Sequence, residues 1–318
     1  MKGKSILLAL SGSPQSRYAT EVCWNLARRL GTTITAHHVV DSHSAWEFIG
    51  HENPGFLEPS VYLDAYQELT SSLFALGEKL AESYATQAKA EGIDDVCIVE
   101  EGNPITEICR RSANHKLVVI GHRASKPREL PRSQFLRLSI AEALSHDCPR
   151  PLLVVQDECK AWTSLSIMIS LDHINEVYIN SCIDMAKALD LKANLLCLTG
   201  GVNEESPSKL VADLRESNKR LKDIPIALTP AQQEISVNSN SWFAPEGMEF
   251  DRVLWDNTLI VIPTRLVGGE RLTVVDSSPS LFIRYLSIPS IMLWPEEYAF
   301  SPEIDLADKD EKSLSTSA

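Results

Sequence analysis

The sequence has no long apolar run, no cysteine pair at metal-binding spacing and no excess of positive charge. Without 18 consecutive apolar residues, a transmembrane helix is not expected, and the short apolar run in MKGKSILLAL does not fit a signal peptide. The seven cysteines are odd in number and scattered, which indicates free thiols in a reducing cytoplasm. A net charge of −13 argues against nucleic acid or an anionic membrane as the main partner. These absences favour a cytoplasmic globular protein.

The sequence does contain an internal repeat. Residues 116–123 read KLVVIGHR and residues 258–265 read TLIVIPTR. Each segment precedes a proline-led apolar run, PLLVV at 151–155 and PSIMLW at 289–294. A repeat of this size indicates two copies of one whole domain rather than a solenoid.

The length of the chain agrees with two domains, since 318 residues accommodate two units of about 150 residues each. We therefore predict a first domain over 1–157 and a second, divergent domain over 163–299. Residues 300–318 are acidic and polar, and they read as a loose tail.

Strands alternate with helices in the first copy, which predicts an α/β fold. A long polar loop is expected over 42–60, and a long helix over Ser60–Glu91 follows it. Right-handed crossovers between strands predict a five-stranded parallel sheet in the order 3-2-1-4-5, with helices on both faces. Since pairing covers exposed edges, the closing strands Pro151–Val155 and Pro289–Leu293 are expected near a pseudo-two-fold interface. The predicted strands of the first copy are Ser5–Leu10, Thr33–Val40, Val96–Glu100, Lys116–Gly121 and Pro151–Val155.

Two segments resemble a known family. The stretch VEEGNPITEICRRSANHKLVVIGHRAS is similar to the signature of the universal stress proteins, and CPRPLLVV at 148–155 resembles their closing strand. The resemblance covers roughly residues 4–156 and 164–295. It implies two tandem Rossmann-like (adenine nucleotide alpha hydrolase-like) domains that pack as an internal pseudo-dimer.

The resemblance also implies where a nucleotide would bind. Family members that bind nucleotide carry Gly-x2-Gly-x9-Gly-(Ser/Thr) after the fourth strand, since glycines let the backbone approach phosphates and a helix N-terminus follows. The first copy keeps Gly121 and Ser139, but Ala124 and Leu138 replace the other glycines, with four extra residues between them. Ser11 replaces an aspartate that the family places near the adenosine. The first copy is therefore expected to bind ATP or AMP weakly.

The second copy shows the opposite pattern. It keeps Asp172 after its first strand and Ser277 at the end of the motif, but Pro263, Leu266 and Asp276 stand at the glycine positions. Proline lacks an N–H donor, and a carboxylate repels phosphate. The second copy is therefore expected to bind no nucleotide.

Candidate ligand residues of the first copy belong at the carboxyl ends of the strands, where open α/β sheets bind ligands. A basic loop follows Arg123, and it could hold a phosphate through side chains or lie at a solvated surface or protein interface. Structural roles are open as well: Gly121 can end a strand, and Ser139, Ser277 and Asp172 can cap helices. The candidates are Leu10, Ser11, Val39, Gly121, Arg123, Ala124, Ser139 and Ile140, and the other cations of the loop are Lys126, Arg128, Arg132 and Arg137.

Several functions remain open at this point. The first is a tandem universal stress protein that acts as a non-enzymatic binding or regulatory module, with an adenine nucleotide or a protein as partner and the option of further homodimerisation. The second is a stress protein whose first site binds ATP fully. A third is a purely structural interaction protein whose crevices are empty and whose surface recruits partners. SGSPQS at 11–16 also faintly resembles the loop of ATP pyrophosphatases, although Ser13 and Gln15 depart from it. Because no nucleophile–base pair, metal cluster or paired carboxylates can be assigned, the sequence does not predict an enzyme.

Overall fold

A computed structural model describes residues 5–49, 58–123, 139–170, 174–199, 207–230, 257–264, 283 and 288–300. Within these residues lie ten strands and seven α-helices. In chain order the elements are β1 (Ser5–Ala9), α1 (Pro14–Leu30), β2 (Thr33–Val40), α2 (Ser42–Ile49), α3 (Pro59–Ala90), β3 (Asp95–Glu101), α4 (Pro104–Ser112), β4 (Leu117–Gly121), α5 (Ile140–Asp147), β5 (Leu152–Val155), β6 (Ser164–Ser170), α6 (Glu176–Ala188), β7 (Lys192–Thr199), α7 (Pro207–Ser217), a 3-10 turn (Lys219–Leu221), β8 (Ile226–Pro230), β9 (Thr258–Pro263) and β10 (Ser290–Trp294).

All ten strands belong to one sheet, in the order β3-β2-β1-β4-β5-β10-β9-β6-β7-β8. Each half is parallel and has the order 3-2-1-4-5, which confirms the predicted topology. The halves join where β5 and β10 pair antiparallel, with Val154 opposite Ile291. The closing strands therefore lie at the predicted interface, and each covers the edge of the other.

Continuous apolar runs form the central strands because helices cover both faces of the sheet. In β1, Ile6 and Leu8 pack in one core cluster with residues of α1 and α3. Leu7 and Ala9 face the other side and pack with residues of α4 and α5. The alternation of side chains along one strand thus assigns α1 and α3 to one face and α4 and α5 to the opposite face.

Helix α1 has a capping residue at each end. The side chain of Ser13 accepts a hydrogen bond from the backbone N–H of Ser16, and Pro14 occupies the first turn. Gly31 ends the helix in the left-handed region, with φ of 60°. This helix connects the carboxyl end of β1 to the amino end of β2, so its N-terminus lies beside the predicted ligand crevice.

The predicted loop over 42–60 is wrong in its first part, which forms α2. Asp41 starts this helix: its carboxylate accepts from the backbone N–H of Ser44 at 3.0 Å and from the Ser44 hydroxyl at 2.6 Å. Trp46 packs edge-on against Tyr66 of α3, with ring centroids 5.2 Å apart. The helix is stabilised by a capping bond and by a contact with α3, and the second of these is not visible in the local sequence.

Three further sequence expectations concern the whole chain. All seven cysteines are free thiols. No helix that the structure describes is both long and apolar enough to cross a membrane. The predicted tail lies outside the described residues from 301 onward, and the domain boundaries stay a prediction.

Candidate functional site

Three candidate residues meet at the carboxyl edge of the first half. Leu10 directly follows β1, Val39 lies near the end of β2, and Gly121 ends β4. Because β1 is hydrogen-bonded between β2 and β4, these three positions lie on adjacent strands. The Leu10 N–H donates to the carbonyl of His37 at 2.9 Å, and the ring Nδ1 of His38 lies 3.0 Å from the Leu10 carbonyl oxygen. The crevice edge is therefore fixed by backbone pairing rather than by loop residues.

Gly121 is packed against the first turn of α1. A Cβ atom at this position would come within 2.5 Å of the carbonyl oxygen of Gln15 and of the backbone nitrogen of Ser16. Such a distance is far inside van der Waals contact, and the neighbouring atoms are backbone. The missing side chain of Gly121 therefore lets helix α1 approach β4.

The loop between β1 and α1 is held together by its own serines. The hydroxyls of Ser11 and Ser13 lie 2.9 Å apart, and the Ser11 N–H donates to the Ser16 hydroxyl at 2.9 Å. Ser13 is also the N-cap of α1. These hydroxyls therefore stabilise the loop itself. Ser11 is exposed to solvent, and it provides no carboxylate at this position.

Ser139 caps α5 through a reciprocal pair of bonds. Its hydroxyl accepts from the backbone N–H of Glu142 at 3.2 Å, and its own N–H donates to the Glu142 carboxylate at 2.6 Å. Ile140 follows as the first residue of the helix and is exposed, as is Arg123 after β4. The Glu142 carboxylate occupies the place at a helix N-terminus that an anionic ligand would favour.

The second half presents Pro263 at the end of β9. This residue is buried and pairs with Trp294 of β10, and the following Thr264 N–H donates to the Trp294 carbonyl at 3.0 Å. Pro263 offers no N–H at the position that corresponds to Gly121. The remaining predicted site positions lie outside the described residues: Ala124, Lys126, Arg128, Arg132, Arg137, Leu138, Asp172, Leu266, Asp276 and Ser277.

A polar cluster beside the crevice was missed by sequence reasoning. The ring of His37 is fully buried, and its Nε2 lies 2.8 Å from Oε1 of Glu100. The second carboxylate oxygen of Glu100 forms an ion pair with the Arg111 guanidinium at 2.6 Å. Burial, together with the charge of Arg111, lowers the pKa of His37. Burial alone would raise the pKa of Glu100, but His37, Arg111 and Arg110 outweigh it and lower that pKa. The adjacent histidines at 37 and 38 were a signal that one ring faces each side of the sheet, but the partner of His37 depends on the pairing of β2 with β3.

His115 lies near the same cluster, since the charges of Arg111 and His37 act on its pKa. Its Nδ1 lies 2.7 Å from the hydroxyl of Ser5. Burial, followed by the charge of Arg111, lowers the pKa of His115 to about 4. His37 and His115 are therefore neutral near pH 7, and the cluster carries the Glu100 and Arg111 charges as a bonded pair.

A groove of about 590 Å³ opens from the serine loop and runs between α1 and α3. Leu10, Ser11 and Ser13 line it, as do Trp24 and Tyr84, which are largely buried. Sequence patterns do not indicate such a groove, because a space between two helices exists only once both have packed on the sheet.

Comparison with known proteins finds one matching family and several similar structures. Residues 3–156 match the sequence profile of the Universal stress protein family. A universal stress protein from Archaeoglobus fulgidus DSM 4304 is 15% identical, with a TM-score of 0.57 over 92% of this chain and 96% of that one. A putative universal stress protein from Pseudomonas aeruginosa UCBPP-PA14 is 11% identical, with a TM-score of 0.51 over 92% and 93%.

Another solved structure is similar to about half of this chain. A universal stress protein family protein from Arabidopsis thaliana with AMP bound is 15% identical, with a TM-score of 0.31 over 48% of this chain and 91% of that one. No curated protein matches the sequence significantly.

Proposed function

Since residues 3–156 belong to the universal stress protein family, we propose that the chain is a tandem member that serves stress responses as a non-enzymatic binding and regulatory module. The repeated strand order of the second half supports the tandem arrangement. In this proposal the first half binds an adenine nucleotide weakly, the second half binds none, and the remaining surface is available to a protein partner in the cytoplasm.

The packing of Gly121 carries the proposal of weak nucleotide binding. In the family motif that resembles this segment, a glycine here lets a phosphate approach the backbone. In this chain Gly121 packs closely against the Gln15 and Ser16 backbone, so its missing side chain serves the approach of helix α1 as well. The exposed Ser11 also offers a hydroxyl, already bonded to Ser13, where the motif has a carboxylate.

The expected loss of affinity follows from Ser11, which replaces the aspartate, and from Ala124 and Leu138, which replace two glycines of the motif. Hydrogen bonds to charged groups contribute about 1.5–3 kcal/mol each. Losing two of them costs about 3–6 kcal/mol, which weakens a micromolar site to roughly millimolar. The exposed Arg123 recovers part of this if its guanidinium meets a phosphate.

The serine loop supports a role without catalysis. The hydroxyls of Ser11 and Ser13 hydrogen-bond to each other, and those of Ser13 and Ser16 accept from backbone N–H groups of the loop. In these bonds no partner of a serine hydroxyl is a basic side chain. Ser13, which stands at a position of the pyrophosphatase-like loop, serves as a helix cap. A hydroxyl without a base has its ordinary weak nucleophilicity.

Isothermal titration of the full-length chain with AMP and ATP, with and without magnesium, tests the proposal. We expect one weak site per chain, weakened further by Arg123→Ala and tightened by Ser11→Asp. Ser13→Asp is the matched control, because it adds the same charge two residues away and keeps a good helix cap. A sub-micromolar dissociation constant, or two nucleotides per chain, would overturn the proposal.

A further inference from the structure

The groove between α1 and α3 has the dimensions of a small-molecule site. Its volume of about 590 Å³ falls within the range of roughly 300–1,000 Å³ that ligand pockets span. It shares Leu10 and Ser11 with the edge of the nucleotide crevice but extends away from it, along the helices as far as Arg28 and Glu91. The part between Trp24 and Ser83 is therefore separate from the strand ends.

The charges that line the groove are already paired. Arg17 lies 3.2 Å from Glu21, and Arg28 lies 2.6 Å from Glu91. Each pair cancels, so the formal charge of these four side chains is zero. Such a lining gives no net attraction to a phosphate or a carboxylate, and it favours an uncharged ligand.

The interior of the groove is aromatic. The rings of Trp24 and Tyr84 lie 6.1 Å apart, inclined by 39°, and both side chains are more than nine-tenths buried. Burial raises the pKa of Tyr84, so its phenol remains protonated at neutral pH. Aromatic walls of this kind bind flat rings through their faces and edges.

Both aromatic side chains also carry polar atoms in need of a partner. Apart from their approach to each other, Nε1 of Trp24 and the hydroxyl oxygen of Tyr84 have no hydrogen-bond partner among the described residues. They lie close enough for the indole N–H to offset part of the effect of burial on the Tyr84 pKa. Unpaired buried polar atoms are rare in folded proteins, and each is a site where a ligand can add a bond.

We propose that the α1–α3 groove binds an uncharged, planar aromatic molecule with hydroxyl groups at its rim. The ring lies against Trp24 and Tyr84, which turn slightly to bring the indole N–H and the phenol to the ligand's oxygens. Ser83 and Gln87, which are exposed on the α3 side, offer further hydrogen-bonding groups along the rim. This ligand is distinct from the adenine nucleotide proposed for the strand ends.

Equilibrium dialysis of the full-length chain with 7-hydroxycoumarin, in slightly acidic buffer where the probe is uncharged, tests the inference. We expect one saturable site per chain. Ser83→Leu places a bulky side chain on the groove wall and should weaken binding about tenfold or more, the equivalent of about 1.4 kcal/mol. Ala85→Leu is the matched control, because it adds the same side chain to an exposed position of α3 that does not line the groove.

A second variant tests the hydrogen bond itself. Trp24→Phe keeps an aromatic ring but removes the N–H, and it should weaken the probe by about threefold to tenfold, as one neutral hydrogen bond does. Unfolding midpoints of the variants exclude a loss of fold. Arg123→Ala should leave binding of the probe unchanged while it weakens binding of AMP. A failure of the nucleotide proposal therefore does not affect the proposal for the groove. The inference is wrong if wild-type protein shows no saturable binding, or if Ser83→Leu and Ala85→Leu bind the probe equally well.

Discussion

Replacing Gly121 with alanine should destabilise the protein, whether or not a nucleotide is present. The added methyl would come within 2.5 Å of the backbone of Gln15 and Ser16. These atoms belong to the first turn of α1, which is anchored by the Ser13 cap and by core contacts along the helix. The clash can be relieved only by moving that turn away from β4.

The expected cost follows from what overpacking does in well-packed interiors. Inserting a methylene-sized group into such a site costs about 1–3 kcal/mol. Because the obstructing atoms are backbone rather than the end of a flexible side chain, we expect a value near the upper end. One kcal/mol corresponds to about 2–4 °C in the unfolding temperature of a 150–250-residue unit, so the shift should reach several degrees.

Urea unfolding followed by circular dichroism measures the effect, with Gly12→Ala as the control. Gly12 lies in the neighbouring loop and does not adopt a positive φ, and a Cβ atom added there would have no neighbouring atom within 4 Å. Its alanine variant should therefore lie within about 0.5 kcal/mol of wild type. If Gly121→Ala is as stable as Gly12→Ala, the packing role of Gly121 is refuted, and a ligand-binding role for this residue is favoured instead.

Three other predictions concern stability and assembly. The folded-state pKa of His115 is depressed from 6.5 to about 4, so the unfolded chain takes up a proton first as the pH falls. The free energy of unfolding should therefore decrease from pH 6.5 to pH 4. His115→Gln should make this decrease smaller in urea titrations. Ser139→Ala should lower stability by about 1 kcal/mol by removing the α5 cap, and a thermal midpoint equal to wild type would contradict the capping role. Residues 1–157 expressed alone should elute as a dimer in light-scattering chromatography, because β5 loses its partner β10; a stable monomer would count against the importance of this edge.

The fold was largely predictable because its signals are local. Buried strands such as β1 and β4 are continuous apolar runs, and their order follows from the handedness of the crossovers. Capping residues such as Ser13 and Gly31 also act within a few positions of the helix they end. Helix α2 was missed because part of its stability comes from Trp46 against Tyr66, a contact between separate elements.

The candidate site was predictable only in its position. Leu10, Val39 and Gly121 follow from the ends of the strands, since parallel strands meet their ligands at one edge. The neighbour of Gly121 could not be read from the sequence, because Gln15 reaches it only after α1 has packed on the sheet. The pairing of His37 with Glu100 depends in the same way on the register of two strands.

The antiparallel pairing of β5 with β10 has a consequence for where ligands can approach. Parallel strands within a half all end on the same edge, but the two halves run in opposite directions across the junction. The carboxyl ends of the first half and those of the second half therefore lie on opposite edges of the single sheet. No small molecule can touch both, and a partner that docks at one edge meets the strand ends of only one half. Coupling between the two edges would have to cross this junction, where Val154 pairs with Ile291 and where the Arg29 guanidinium of the first half donates to the Leu189 carbonyl of the second half at 3.0 Å.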